Sequence, residues 1–219
     1  DFGRLVVDGV TDTLDSTAPD PYGVDVQYAD LSGRGLDIDV ISPSASTCQG
    51  LMLYQATVDV RRLSARAECV FAALGLLTIN STGIVRDSTL AAASPTTSRG
   101  ITAGDGSIAF GGVTATATGG SDSAGVEVWS GGRFTLNDSE LSGTYSAVRT
   151  PPAELLVVDS VMVGSTQGMT DRCVNPMNPD LSAYSCPVSL SEAGRCTSPP
   201  PPAAASPVVP SPSPRWRRC

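Results

Sequence analysis

Three residues near the middle of the chain have side chains suited to contact a ligand. Trp129 and Glu127 lie two positions apart in the stretch AGVEVWSGGRFTLNDSELS, residues 124–142. Alternation along a strand turns both side chains to one outer side, where the indole can stack on a sugar ring or cover the edge of a loop from the next coil. The repeat described below places Arg149 beside Glu127. These three residues are therefore candidate carbohydrate contacts.

Acidic side chains are the other candidate ligands, and many lie early in the chain. Residues 1–47 contain Asp8, Asp12, Asp15, Asp20, Asp25, Asp30, Asp37 and Asp39. Calcium prefers such oxygen ligands, but these aspartates lack the close spacing of a calcium-binding loop. The absence of histidine excludes histidine-based catalysis and histidine metal ligands. The sequence predicts no metal site, leaves calcium as the one cofactor to consider, and assigns no catalytic residue.

The stretch around Trp129 has the pattern of short strands separated by tight turns. Gly125 precedes one alternating strand, and the small residues 130–132 interrupt it. Residues 134–136 alternate again, and residues 137–139 form another turn, because Asn, Asp and Ser favour turn conformations. Three short apolar segments joined in this way are typical of one triangular coil.

Units of this kind recur along the chain. They open at Gly23, Gly50, Val70, Gly100, Gly125 and Ala147. Two of the units, those that open at Gly50 and Gly100, have four later apolar residues at identical spacing; these are Val58, Val60, Leu63 and Ala65 in one and Ile108, Phe110, Val113 and Ala115 in the other. Repeats of roughly 20 to 50 residues indicate stacked units. We therefore predict an all-β solenoid of about six coils, with an antiparallel sandwich built on the Asp8-Gly9 and Asp105-Gly106 turns as the structural alternative.

Two of the six cysteines lie just before predicted coil openings, Cys48 before Gly50 and Cys69 before Val70. Since matching positions of successive coils stack, we predict a disulfide between them that contributes about 3 kcal/mol. Two buried free cysteines are the alternative. The remaining cysteines are Cys173, Cys186, Cys196 and Cys219. Three disulfides are arithmetically allowed, with a connectivity that the sequence does not determine, and disulfides favour an extracellular or cell-surface location.

Two Asn-X-Ser/Thr sequences are candidate glycosylation sites, and they begin at Asn80 and Asn137. An asparagine at a coil corner can instead turn inward and stack on its neighbours. The glycosylation of both residues therefore remains a prediction that depends on secretion from a eukaryotic cell.

The sequence GVEVWSGGRFTLNDSELSG resembles a coil of the right-handed parallel β-helix repeat proteins. This superfamily has the fold of pectate lyases and includes many surface and adhesin-like proteins. The resemblance covers residues 3–165 and implies a right-handed parallel β-helix. It also implies an alternative function, that of a polysaccharide lyase or glycoside hydrolase acting on cell-wall polysaccharide. No motif of those enzymes matches, so the resemblance transfers no catalytic residue.

Beyond the repeat, the composition changes twice. Residues 166–197 contain three cysteines and three prolines and are predicted to form an irregular cap on the open end of the solenoid. Residues 198–214, SPPPPAAASPVVPSPSP, predict a polyproline II segment and resemble hydroxyproline-rich cell-wall glycoproteins. The predicted organisation is a β-helix at 1–165, a cap at 166–197 and a proline-rich tail at 198–219.

Charge and hydropathy exclude several partners. The net charge of −8 opposes nucleic-acid binding, which needs basic patches, and all 14 basic residues are arginine. The same charge disfavours anionic polysaccharide unless calcium bridges the two. No apolar run is long enough to span a membrane.

These features favour a non-catalytic extracellular or cell-surface module over an enzyme. A rigid rod with disulfides, glycosylation sequences and a proline-rich extension is typical of a surface or matrix glycoprotein. Such a module would act as a spacer, an adhesive unit or a carbohydrate-binding unit. The expected partners are carbohydrate or other surface and matrix proteins, and the open ends of the solenoid allow end-to-end assembly.

Overall fold

The computed structural model of the chain describes residues 3–15, 20–149, 154–167, 173–174, 176–178 and 180. The predicted tail at 198–219 and most of the predicted cap at 166–197 lie outside the described residues. The same holds for Cys186, Cys196, Cys219 and the side chain of Cys173. The predicted roles of these residues therefore stay predictions.

The described residues form β-strands and turns, with no helix among them. In chain order the strands are β1 (Gly3–Asp8), β2 (Thr11–Asp15), β3 (Tyr22–Gln27), β4 (Ala29–Arg34), β5 (Asp37–Ser42), β6 (Thr47–Tyr54), β7 (Thr57–Arg61), β8 (Ser64–Cys69), β9 (Ala72–Arg86), β10 (Thr89–Ala93), β11 (Thr97–Gly111), β12 (Thr114–Thr118), β13 (Asp122–Val128), β14 (Arg133–Asn137), β15 (Glu140–Arg149), β16 (Glu154–Val158), β17 (Val161–Gln167) and β18 (Cys173–Val174). Each strand pairs in parallel with the strand one coil away.

The parallel pairings arrange the strands in three faces. The first face contains β3, β6, β13 and the first halves of β9 and β11, and it continues into the ends of β15 and β17. The second face contains β1, β4, β7, the second halves of β9 and β11, β14, β16 and β18. The third face contains β2, β5, β8, β10, β12 and the starts of β15 and β17.

These three faces confirm the predicted fold, a parallel β-solenoid of about six coils. The sandwich alternative is wrong, because Asp8 and Gly9 join two strands that do not pair with each other. Instead, β1 pairs with β4 and β2 pairs with β5 in the following coil. The parallel ladder also continues past residue 165, through β18 and a parallel bridge between Val161 and Met177.

The core is a stack of small and medium apolar side chains that point inward from all three faces. The residues predicted from the shared spacing after Gly50 and Gly100 are all in it, and each is at most 2% exposed; they are Val58, Val60, Leu63, Ala65, Ile108, Phe110, Val113 and Ala115. Because parallel strands hold equivalent residues in register, each inward position packs on its counterpart in the next coil.

One predicted coil opening is wrong. The unit assigned to Val70 opens at Gly75, since Leu76 pairs with Leu51 in the preceding coil and with Ile101 in the following one. The openings from Gly50 to Gly125 are therefore evenly spaced along the chain. Where other coils have large apolar residues, this coil has Gly83, which pairs with Val58, and Ser88. The apolar repeat is therefore difficult to recognise in the sequence of this coil.

Serine side chains close several corners of the coil. Asp87, Asp138 and Asp159 have positive φ angles of 49°, 49° and 45°, and each precedes a buried serine. The hydroxyl of Ser88 accepts a hydrogen bond from the backbone N–H of Leu63 at 3.1 Å and donates one to the carbonyl of Arg86 at 2.6 Å. The Asp-Ser pairs are thus turn formers, as their sequences indicate.

The column of glycines on the first face leaves no space for side chains. A Cβ added at Gly75 would lie 2.7 Å from the carbonyl oxygen of Gly100, and one added at Gly100 would lie 2.7 Å from that of Gly125. Both distances are too short for a carbon beside a carbonyl oxygen. Close approach of the backbone, and not a positive φ, requires glycine here.

We predict that Gly75→Ala lowers the free energy of unfolding by about 2 kcal/mol, because the new methyl must push successive coils apart. Gly111→Ala is the matched control, since a Cβ there meets no atom within 4 Å. It is expected to change stability by less than about 1 kcal/mol. Chemical denaturation followed by circular dichroism measures both. Equal effects of the two substitutions would contradict the close approach.

The disulfide between Cys48 and Cys69 is confirmed, with a Cα–Cα distance of 6.1 Å, but its predicted geometry is wrong. Cys48 pairs in register with Ala73, and Cys69 pairs with Ser42. The two cysteines do not stack on successive coils. They lie on β6 and β8, so the disulfide joins the first and last strands of a single coil.

We predict that Cys48→Ala combined with Cys69→Ala lowers the free energy of unfolding by about 3 kcal/mol, because the unfolded chain loses a closed loop. Thermal unfolding with and without reductant provides the control. Reductant should lower the Tm of the wild type by more than that of the double variant, which keeps the other four cysteines. A wild-type Tm that is insensitive to reductant, with reduction verified by mass, would argue against a stabilising role.

Candidate functional site

The candidate carbohydrate contacts lie on the first face. Thr102, Glu127 and Arg149 occupy one row, because Thr102 pairs with Glu127 and Glu127 pairs with Arg149. The backbones of Glu127 and Arg149 are thus neighbours on adjacent coils, as predicted. The side chain of Arg149 lies outside the described residues, so its role as a sugar contact stays a prediction.

Glu127 has a buried partner that the sequence did not reveal. The Arg99 Nε donates to Glu127 Oε2 at 2.6 Å, and Arg99 Nη2 donates to Asp122 Oδ2 at 2.9 Å. The Arg99 side chain is only 3% exposed, against 19% for Glu127 and 39% for Asp122. The Arg99 Nη1 completes the arrangement by donating to the carbonyls of Ser98 and Asp122.

The two acids keep the buried guanidinium charged. Burial by itself lowers the pKa of Arg99, but the hydrogen bonds and negative charges of Glu127 and then Asp122 outweigh it and raise that pKa. Removing one partner from an ion pair this buried is destabilising, because the buried charge loses its compensation. Glu127 therefore has a structural role in joining two coils, besides its predicted role as a sugar contact.

Trp129 combines a buried contact with an accessible surface. Its backbone N–H donates to the carbonyl of Ala103 at 3.0 Å, and its indole lies so close to Gly104 that a Cβ there would be 2.5 Å from Cε2. The residue is still 44% exposed. The ring thus covers the preceding coil, where the structural alternative named the next one, and leaves an indole surface on which a sugar could stack.

Two shallow grooves lie at corners of the described solenoid. The larger, about 420 Å³, is lined by Ile41, Ser42, Pro43, Glu68, Cys69, Val70, Ala93, Ser94, Pro95, Thr118 and Gly119, so Glu68 is its single carboxylate. The other, about 350 Å³, is lined by Gly112, Val113, Thr114, Asp138, Ser139, Glu140, Asp159 and Val161. The smaller groove is thus the one of the two whose lining includes three acidic residues.

The grooves do not contain a preformed metal site. Among the described residues, no three His, Cys, Asp or Glu side chains are placed to hold one ion. The described acids of residues 1–47 likewise form no such group of three. Calcium binding stays untested.

The two glycosylation candidates have different surroundings. Asn80 is exposed at a corner with a φ of 52°. Asn137 is half-buried, and its Nδ2 donates to Asp138 Oδ2 at 2.9 Å. Asn80 is therefore the more accessible acceptor, and glycosylation of both stays a prediction.

Comparison with known proteins gives no match: no family model, curated protein or solved structure is significantly similar to the chain. The fold alone defines the class of this protein, a disulfide-containing parallel β-solenoid. Within the described ranges, no helix has the length and hydropathy that crossing a bilayer requires.

We predict that Glu127→Gln lowers the free energy of unfolding by about 2–3 kcal/mol, because a buried guanidinium loses one of its two charged partners. Glu68→Gln is the matched control. Its partner Arg66 lies 2.6 Å away, but the two side chains are 51% and 45% exposed, so a loss below about 1 kcal/mol is expected. If denaturation curves show equal losses, the Arg99 pair is no stronger than a surface pair.

Proposed function

We propose that the protein is a non-catalytic extracellular or cell-surface module, a rigid spacer that binds carbohydrate or other matrix components. The observation that supports this proposal is the parallel ladder that runs from β3 to β15. It presents outward side chains in regular rows, about 4.8 Å apart, to an extended ligand. The disulfide that closes one coil is consistent with an oxidising compartment.

The accessible indole of Trp129 supports carbohydrate as the ligand. Backbone and ring contacts hold this side chain against Gly104, so little conformational freedom is lost on binding. A held aromatic ring with an exposed surface suits the apolar face of a sugar.

One observation favours the enzyme alternative. Asp138, Glu140 and Asp159 line the same groove, and a glycoside hydrolase needs two carboxylates that flank the scissile bond. The corner geometry accounts for two of the three, because Asp138 and Asp159 occupy turn positions with positive φ. We therefore rank a polysaccharide lyase or hydrolase second.

A binding and turnover assay with the full chain tests the proposal. The protein is incubated with neutral and acidic polysaccharides, and both retention and the release of new reducing ends or unsaturated products are measured. We expect retention without products. Trp129→Ala should weaken binding roughly fivefold, which corresponds to about 1 kcal/mol of lost stacking.

Phe71→Ala is the matched control, because Phe71 is also an exposed aromatic, at 57%, but lies at a different corner. It should bind like the wild type. Products that disappear in Asp138→Asn and Asp159→Asn would favour the enzyme instead. Equal affinities of the Trp129 and Phe71 variants would show that the indole is not part of the binding site.

A further inference from the structure

Three arginines form a column on the second face. Arg34 at the end of β4 pairs in register with Arg61 at the end of β7, which pairs with Arg86 at the end of the second-face part of β9. Successive members therefore lie about 4.8 Å apart along the solenoid axis. Arg62 follows at the adjacent corner, with a φ of 55°. We call Arg34, Arg61 and Arg86 the arginine column.

Most of this positive charge has no partner within the described part of the chain. Arg34 binds Asp8 at 3.1 Å, which raises the pKa of the arginine, and both side chains are about 70% exposed. Arg61, Arg62 and Arg86 make no ion pair with any described residue. The nearby acids in sequence, Asp59 and Asp87, are not within ion-pair distance of them.

The column costs stability in the isolated protein. Like charges directly opposite each other on neighbouring strands are destabilising. Acids outnumber bases by 22 to 14 in this chain, yet three of the arginines stack in one column. Arg34, the end member, is the one that forms an ion pair with a described acid. Such a local conflict is expected where a surface serves binding instead of folding.

The geometry points to a ligand that carries negative groups at regular intervals. The planar guanidinium donates two parallel hydrogen bonds to a carboxylate or a sulfate. We propose that the arginine column binds the carboxylate or sulfate groups of a linear acidic polysaccharide that lies along the solenoid axis. This inference rests on the proposed carbohydrate-binding function and names the class of carbohydrate.

The column suits a polysaccharide better than a nucleic acid. It spans three coils with one arginine in each, and the adjacent corner carries Arg62 after Arg61 and Asp87 after Arg86. Binding of single-stranded nucleic acid needs a broader basic groove with aromatic side chains on which bases stack. The net charge of −8 opposes acidic ligands on average, but a ligand at short range responds to local charge, because salt screens distant charges.

The test compares two triple variants of the full chain by calorimetry at about 0.15 M salt, where charges more than about 8 Å away are largely screened, with polygalacturonate, dextran sulfate and neutral dextran as probes. The column variant is R34Q/R61Q/R86Q. The control variant is R4Q/R66Q/R133Q, which removes the same charge from arginines outside the column. We expect the column variant to bind the acidic probes at least about tenfold more weakly, and the control to stay within about threefold of wild type.

A second variant separates binding from folding. Arg61→Glu places an acid between two arginines, so it should raise the Tm while it abolishes binding of the acidic probes. If the column were only structural, Arg61→Glu would lower both the Tm and the binding of the acidic probes. The two acidic probes distinguish carboxylate from sulfate as the recognised group, and binding of either supports the inference.

Several outcomes would overturn it. Equal binding by both triple variants would show that net charge and not the column is recognised. Wild-type binding to neutral dextran alone would refute this inference and leave the proposed function intact, whereas no binding to any probe would refute both. Equal competition by a single-stranded oligonucleotide, or light scattering that shows column-dependent dimers in place of glycan binding, would assign the column to a different partner.

Discussion

The parallel register between successive coils is the constraint on which the rest of this structure depends. Backbone hydrogen bonds place each residue about 4.8 Å from its counterpart one coil away. From Gly50 to Gly125 the separation between counterparts along the chain stays constant from coil to coil on the first face. Every position of the coil therefore becomes a column, and the side chains in a column must tolerate their own neighbours above and below. The contacts that a residue makes therefore depend mainly on the column to which it belongs.

Different columns meet this requirement by different means. Inward columns use Val, Leu, Ile and Ala, because these pack at the strand spacing without unpaired polar atoms. The glycine column on the first face permits the backbone to approach the next coil closely. Corner columns use a residue with positive φ followed by serine, whose hydroxyl bonds the backbone N–H of the coil before, as Ser81 does for Ala56 and Ser139 does for Val113. The backbone N–H groups at these corners are thus satisfied between coils.

Much of the fold could be predicted from the sequence because apolar periodicity survives in most coils. The prediction failed where a column contains an unusual residue. The coil that opens at Gly75 was missed because it has Gly83 and Ser88 at positions that are apolar in other coils. The disulfide was predicted for the wrong reason, since residues close in sequence to two coil openings need not share a column. Arg99 was missed as the partner of Glu127 because the two residues belong to different columns. The backbone of Arg99 is in register with Ala124, and its side chain reaches across to Glu127. Long side chains make such diagonal contacts, and these cannot be predicted by comparing equivalent positions of successive coils.

The same logic changes how charge in a solenoid should be interpreted. A net charge describes the average surface, whereas stacking concentrates residues that are dispersed in sequence. Arg34, Arg61 and Arg86 come from three different coils, yet the register places them in one column. The argument from composition against acidic polysaccharide therefore does not hold locally, at the spacing that a linear ligand would encounter. In a repeat fold, binding can therefore be argued column by column, because the register brings charges that are distant in sequence together.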